Sequence, residues 1–166
     1  MAARRALYEA VRDKITVDLP WVKWIDLQKG QFDTPAKNYP LPLPCVLVEI
    51  KPVAWENYSS NTQLGQTLMS IYIYLDHSGD SIKGSEMEKE SLRLMDRMDR
   101  IFQVLTDLSG NSFKRLTRIN DQVVKYRPRM VEFRSDFSTT IFDSIEPLTA
   151  PLPLPQIQSN IEIVLT

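Results

Sequence analysis

The sequence holds one cysteine, one histidine and five glycines among its 166 residues. A single cysteine, Cys45, excludes an intrachain disulfide and any cysteine-built metal cluster. Its place in the apolar run Cys45-Val46-Leu47-Val48 marks a buried structural thiol. His77 is the only imidazole. In Asp76-His77-x-x-Asp80 it follows a strand within a Gly/Ser loop, short of the converging ligand set that a metal needs, so the string reads as an exposed turn. Five glycines give little material for a phosphate cradle, and no phosphate-loop, dinucleotide or nucleophile-elbow motif occurs. Carboxylates pair in space, and nothing in the order of residues singles out one pair among the 21 acids. No catalytic, cofactor-binding or metal-binding residue is assigned, no cofactor is expected, and the chain is not read as an enzyme.

The sequence also lacks a charge excess of either sign. Lys and Arg number 20 against 21 Asp and Glu, a net charge of -1. Phosphate-backbone binders carry a basic excess on one face, so nucleic acid is not the expected partner. No run approaches the ~20 apolar residues of a membrane-spanning helix. The start, Met1-Ala-Ala-Arg-Arg, runs straight into a charged amphipathic segment, so no secretion signal is read and a reducing cytoplasm is the expected compartment.

What is present suits one folded domain: 43% apolar and 25% charged residues. Residues 2–15 read as a helix, with Ala3, Leu7, Val11 and Ile15 on one stripe, ended by Asp18-Leu19-Pro20. Val22 to Leu27 reads as a short strand and 28–39 as a loop. Pro40-Leu-Pro-Leu-Pro44 is extended and leads into the apolar strand Cys45 to Ile50, covered on both faces. Residues 53–62 read as a polar loop carrying Trp55 and Tyr58. Gln63 to Asp76 alternates as a central strand. Met69, Ile71, Ile73 and Leu75 face one way; Tyr72 and Tyr74 face the other. Ser85 and Glu88 form a capping box for a helix over about 86–108, striped by Met87, Leu94, Met95, Met98, Ile101, Phe102, Leu105 and Leu108. Gly110 is placed to cap its C-terminus. Val123 to Arg127 reads as a short strand. Met130 to Asp143 is a long one, with Val131, Phe133, Phe137 and Ile141 on one face and a wet or partner-facing row of Glu132, Arg134, Asp136 and Ser138 on the other. A second proline-rich segment, 147–155, precedes a terminal strand with Ile161, Ile163 and Leu165 alternating.

This order is not the strand–helix alternation of a parallel doubly wound sheet. The expected fold class is α+β: a mostly antiparallel β-sheet with the N-terminal helix and one long helix packed on one face. Residues 1–146 form a single α+β domain. The proline-rich arm and C-terminal strand of 147–166 belong to the same domain. A basic stretch, Lys114, Arg115, Arg118, Lys125, Arg127, Arg129 and Arg134, is read as a solvated face balanced by the acidic long helix. The competing reading is a monomeric module that binds nucleic acid through residues 114–134.

This layout resembles the tail-terminator family of long-tailed phages and prophages, grouped with tail-completion and head–tail joining proteins. The features that carry the resemblance begin with the amphipathic helix ending near Leu19-Pro20. A strand entered through proline, Leu43-Pro44-Cys-Val-Leu-Val-Glu49, follows. The long strand Thr67 to Asp76, the helix from Ser85 and the strand pairing of Arg129 to Asp143 complete it. The resemblance implies a structural protein of the virion tail and neck that self-associates, commonly as a hexameric ring. Such a ring caps the tail tube and meets both the tail tube protein and the head-connector protein. The oligomer-interface candidates are Trp55, Tyr58, Tyr72, Tyr74, Ile161 and Ile163, since large aromatics suit interface anchors and the C-terminal arm can reach a neighbour. The aromatics among them could equally complete the core of the monomer.

Overall fold

A computed structural model describes residues 2–32, 42–76, 81–127 and 130–144. Helix α1 spans Ala3–Asp18. Its stripe of Ala3, Leu7, Val11 and Ile15 is fully buried, as four-residue spacing requires of one helix face. Arg5–Glu9 and Lys14–Asp18 ion pairs lie on the outer face, each worth about 0.3–0.5 kcal/mol at such exposure. The helix stops where the Leu19 N–H donates back to the Ile15 carbonyl at 2.9 Å and Pro20 has no N–H to continue.

Among the described residues six strands form one sheet: β1 Trp24–Leu27, β2 Cys45–Ile50, β3 Ala54–Ser59, β4 Thr62–Asp76, β5 Thr117–Arg127 and β6 Met130–Ser144. Their order is β1-β2-β4-β6-β5, with β3 also on β4. The β1–β2 pair is parallel and the others are antiparallel. β2 holds Met69–Tyr74 of β4, and β3 holds Thr62–Gln66 along the same edge. The two are separated by Lys51-Pro52-Val53, where Pro52 interrupts a ladder that it cannot donate to. The fifteen-residue β4 is thus the spine, with β6 along its whole other edge.

Alternation places Met69, Ile71, Ile73 and Leu75 of β4 on one face with Val131, Phe133, Phe137 and Ile141 of β6, all buried. Both helices pack there: Leu7, Val11 and Ile15 of α1 and Ile101, Phe102 and Leu105 of α2 (Glu88–Leu105) share this core. A smaller cluster of Cys45, Leu47, Tyr74 and Met130 sits apart from it, with Phe32, Leu43 and Tyr72 against it. The chain is therefore α+β as expected, and β2 is buried from Cys45 to Val48.

Several expectations need correction. Residues 54–59 are a strand rather than a loop, because β4 supplies a partner that the polar run Glu56-Asn57-Tyr58-Ser59 does not advertise. β5 is eleven residues long and begins at Thr117, its register set by β6. Helix α2 spans Glu88–Leu105, about 27 Å at 1.5 Å per residue. Its last turns are buried, with Leu94 and Met98 packed half-buried against the core; Met87, Leu92 and Met95 are exposed. Ser85 lies in the preceding turn, Met87 takes the N-cap position, and Glu88 reaches back to accept from the Gly84 N–H at 2.6 Å. At the other end Asp107, φ 69°, takes the left-handed position expected of Gly110. Gly110 instead pairs with Phe113 in a tight turn. His77, Asp80, Arg129, the 33–41 segment and the whole of 145–166 lie outside the described residues.

Candidate functional site

The sheet face opposite the helices carries the polar side chains. The row expected to be wet or partner-facing is largely satisfied within the chain: Asp136 and Glu132 are buried. Asp136 Oδ1 accepts from Ser70 Oγ at 2.6 Å and Arg134 Nε at 2.8 Å. Its Oδ2 accepts from Arg134 Nη2 at 2.7 Å and Asn120 Nδ2 at 3.4 Å. The Arg134 guanidinium, helped by Ser70 and Asn120, outweighs burial and holds the Asp136 carboxyl down at about 2. Next to it Tyr72 donates to Glu49 Oε2 at 2.9 Å, and Lys51 Nζ lies 2.6 Å from the same oxygen. Burial acts to raise the Glu49 carboxyl, but the hydrogen bonds from Lys51 and Tyr72 hold it below its ordinary value. Burial and the Glu49 carboxylate push the Tyr72 hydroxyl up to about 12.

The interface candidates separate on this framework. Tyr74 is core: 1% exposed, stacked on Phe32 at 4.0 Å between ring centroids. Its hydroxyl lies 3.3 Å from Glu132 Oε1 and 3.3 Å from Gln28 Nε2. Tyr72 is half-buried on the open face. Trp55, on β3, packs half-buried against the main core, directly opposite Gly65 of β4. A Cβ on Gly65 would lie 2.3 Å from Val53 Cγ1 and 2.8 Å from the Ala54 carbonyl, so glycine lets β3 close down on β4. Tyr58, near the tip of the β3–β4 hairpin, is 69% exposed. Ile161 and Ile163 lie outside the described residues.

Among the described residues the basic stretch pairs with acids outside α2. Arg115 pairs with Asp107 at 3.0 Å, Arg118 with Asp121 at 3.2 Å and Arg134 with Asp136; none of these acids is in α2. Arg118 also lies over the Phe102 ring and Lys114 over Phe142. A shallow cleft of about 500 Å³ crosses the sheet between Lys51, Lys114 and Arg115, floored by Leu68 and Ser138, with no acid in its lining. Among the described residues no three metal-ligating side chains cluster and no helix is long and apolar enough to cross a membrane.

Sequence reasoning missed the exposed apolar edge of the sheet. Among the described residues β5 is the last strand on its side, and Ile119, Val123 and Val124 on it are exposed. The signal was the Ile119…Val123-Val124 pattern, diluted by Arg118, Asn120, Asp121 and Gln122.

No protein-family model and no curated protein matches this chain. A solved structure does match in fold: a chain described as part of the virion of a native gene transfer agent (GTA) particle. The TM-score is 0.55 at 14% sequence identity, over 86% of this chain and 98% of that one. At that identity the likeness establishes a common fold, and this chain carries about a seventh of its length beyond the match.

Proposed function

We propose that this protein is a structural component of a phage or phage-like particle. In the finer reading it forms a ring, commonly of six copies, that caps the tail tube and joins it to the head connector. The observation that carries the proposal is the fold, which matches nearly the whole of a gene transfer agent virion chain. The polar groups of the open sheet face support it, since they are consumed by one another in Asp136–Arg134–Ser70 and Tyr72–Glu49–Lys51. They are not left converging on a cavity as a catalytic site would require. In this reading the protein turns over no substrate. Tyr58 and the half-buried Trp55 and Tyr72, with the arm bearing Ile161 and Ile163, supply contacts between copies. Those contacts are heterologous, as a closed ring demands. The protein acts in the host cytoplasm during assembly and in the virion neck thereafter.

A monomeric nucleic-acid module is the second reading, and the acid-free cleft between Lys51, Lys114 and Arg115 favours it. Light scattering after size exclusion, across protein concentration and salt, separates the two. Concentration-dependent growth to a ring-sized species supports the first. A monomer at every concentration that binds duplex DNA with a steep salt dependence refutes it in favour of the second.

A further inference from the structure

From the exposed edge of β5 and the sequence beyond Ser144, we infer that the segment 157–166 of one copy adds as a strand to the β5 edge of a neighbouring copy. The inference rests on the ring reading and specifies one of its contacts. Among the described residues β5 pairs only with β6; this eleven-residue edge strand, exposing Ile119, Val123 and Val124, offers a row of backbone donors and acceptors and an apolar surface to an incoming strand. Bulges at Arg118/Asn120 and Val123/Lys125 interrupt its pairing with β6, and Ile119 and Val124, the residues they skip, are exposed.

Charge selects the occupant. β5 carries Arg118, Lys125 and Arg127 against Asp121, whereas residues 145–166 carry Glu146 and Glu162 and no Lys or Arg. Like charges oppose the pairing of two β5 strands, and opposite charges favour this segment. In Ile161-Glu-Ile-Val-Leu165, alternation gives one wholly apolar face, Ile161, Ile163 and Leu165. That face can continue the apolar surface of Val123 at the rim of the core.

Geometry puts a neighbour within reach. β6 ends at Ser144, opposite Thr62, while β5 begins at Thr117, opposite Ser138. The chain therefore leaves the sheet roughly 20 Å beyond the start of β5, heading away from it. The next eleven residues contain Pro147, Pro151, Pro153 and Pro155, and a polyproline-type spacer of that length spans about 34 Å. A reach of that length extends past the sheet and brings a neighbouring copy within range of the strand.

The test mixes two full-length chains, tagged Val123→Cys and untagged Ile163→Cys, with a short bismaleimide. The parallel pair with Val124→Cys covers the other face of β5. Native Cys45 is buried, so the wild-type chain serves as the blank. A covalent heterodimer is the expected product. A link formed only inside a doubly substituted chain, or no link at all, overturns the inference. Light scattering of full-length Ile163→Asp is the second readout. The ring-sized species should weaken at least tenfold in association constant. If that species persists unchanged, the strand addition is wrong and the ring stands. If wild type is monomeric throughout and no heterodimer is trapped, both fall.

Discussion

Replacing Asp136 by Asn is expected to weaken the fold by about 2 kcal/mol near neutral pH. Four donors point at the two carboxylate oxygens: Ser70 Oγ, Arg134 Nε, Arg134 Nη2 and Asn120 Nδ2. An amide has one acceptor oxygen and one NH₂, so in either orientation a donor faces Arg134 and the guanidinium loses half of its fork. The native carboxyl lies at about 2 against 3.8 for the free group. At about 1.4 kcal/mol per unit, that difference corresponds to the ~2 kcal/mol quoted. For a domain of this size the melting midpoint should fall by roughly 5–10 °C. The folded value lies below the unfolded one, so the carboxylate's contribution is complete above about pH 5 and disappears as pH falls through about 2. Urea titrations of both proteins at pH 7, 4 and 2.5 provide the assay. The gap should be widest at pH 7 and shrink with acid. Equal stability within about 0.5 kcal/mol at pH 7, or a gap that does not change down to pH 2.5, would refute the assignment of the Arg134–Asp136 pair as a stabilising unit.

Gly65→Ala should cost about 1–3 kcal/mol through overpacking, because the new methyl meets the Ala54 backbone carbonyl as well as Val53; denaturation monitored by tryptophan fluorescence reports it. Leu7→Ala, at a fully buried site between α1 and the sheet, should cost about 2–5 kcal/mol in urea midpoint measurements. Burial pushes the Cys45 thiol up to about 12, so Ellman's reagent at pH 8 should find no reactive thiol in the native protein and one after unfolding. Fast labelling of the native chain would contradict that burial.

The elements with strong apolar periodicity were legible in the sequence. β2 runs Cys45–Ile50 as read, and β4 and β6 match to within one residue at each end, because their alternation is written in Met69-x-Ile71-x-Ile73 and Val131-x-Phe133. α1 follows its four-residue stripe. β3 and most of β5 were not legible. Both are polar runs that become strands only because β4 and β6 present them with a free edge, and that is information from distant residues. The first turns of α2 show the converse. Met87 and Met95 fit a buried stripe by spacing, yet both are exposed. Of the interface candidates, the sequence could not separate Tyr74 from Tyr72. Two positions apart on one face, they differ in that Phe32, forty-two residues earlier, covers Tyr74.

The strand order has a consequence for synthesis on the ribosome. β6 lies between β4 and β5 but is the last of the six to be translated, and its partners on β4 are 54 to 82 residues upstream. β5 emerges before the strand that holds it, and one edge of β4 stays open until Met130–Ser144 clear the exit tunnel. The β3–β4 hairpin can close locally. The sheet cannot, so its completion depends on slow, long-range pairing. A nascent chain that stalls short of Met130 displays the apolar face of β4, Met69 to Leu75, without a partner. Stalled chains of this protein are thus substrates for chaperones or seeds for aggregation rather than half-built domains.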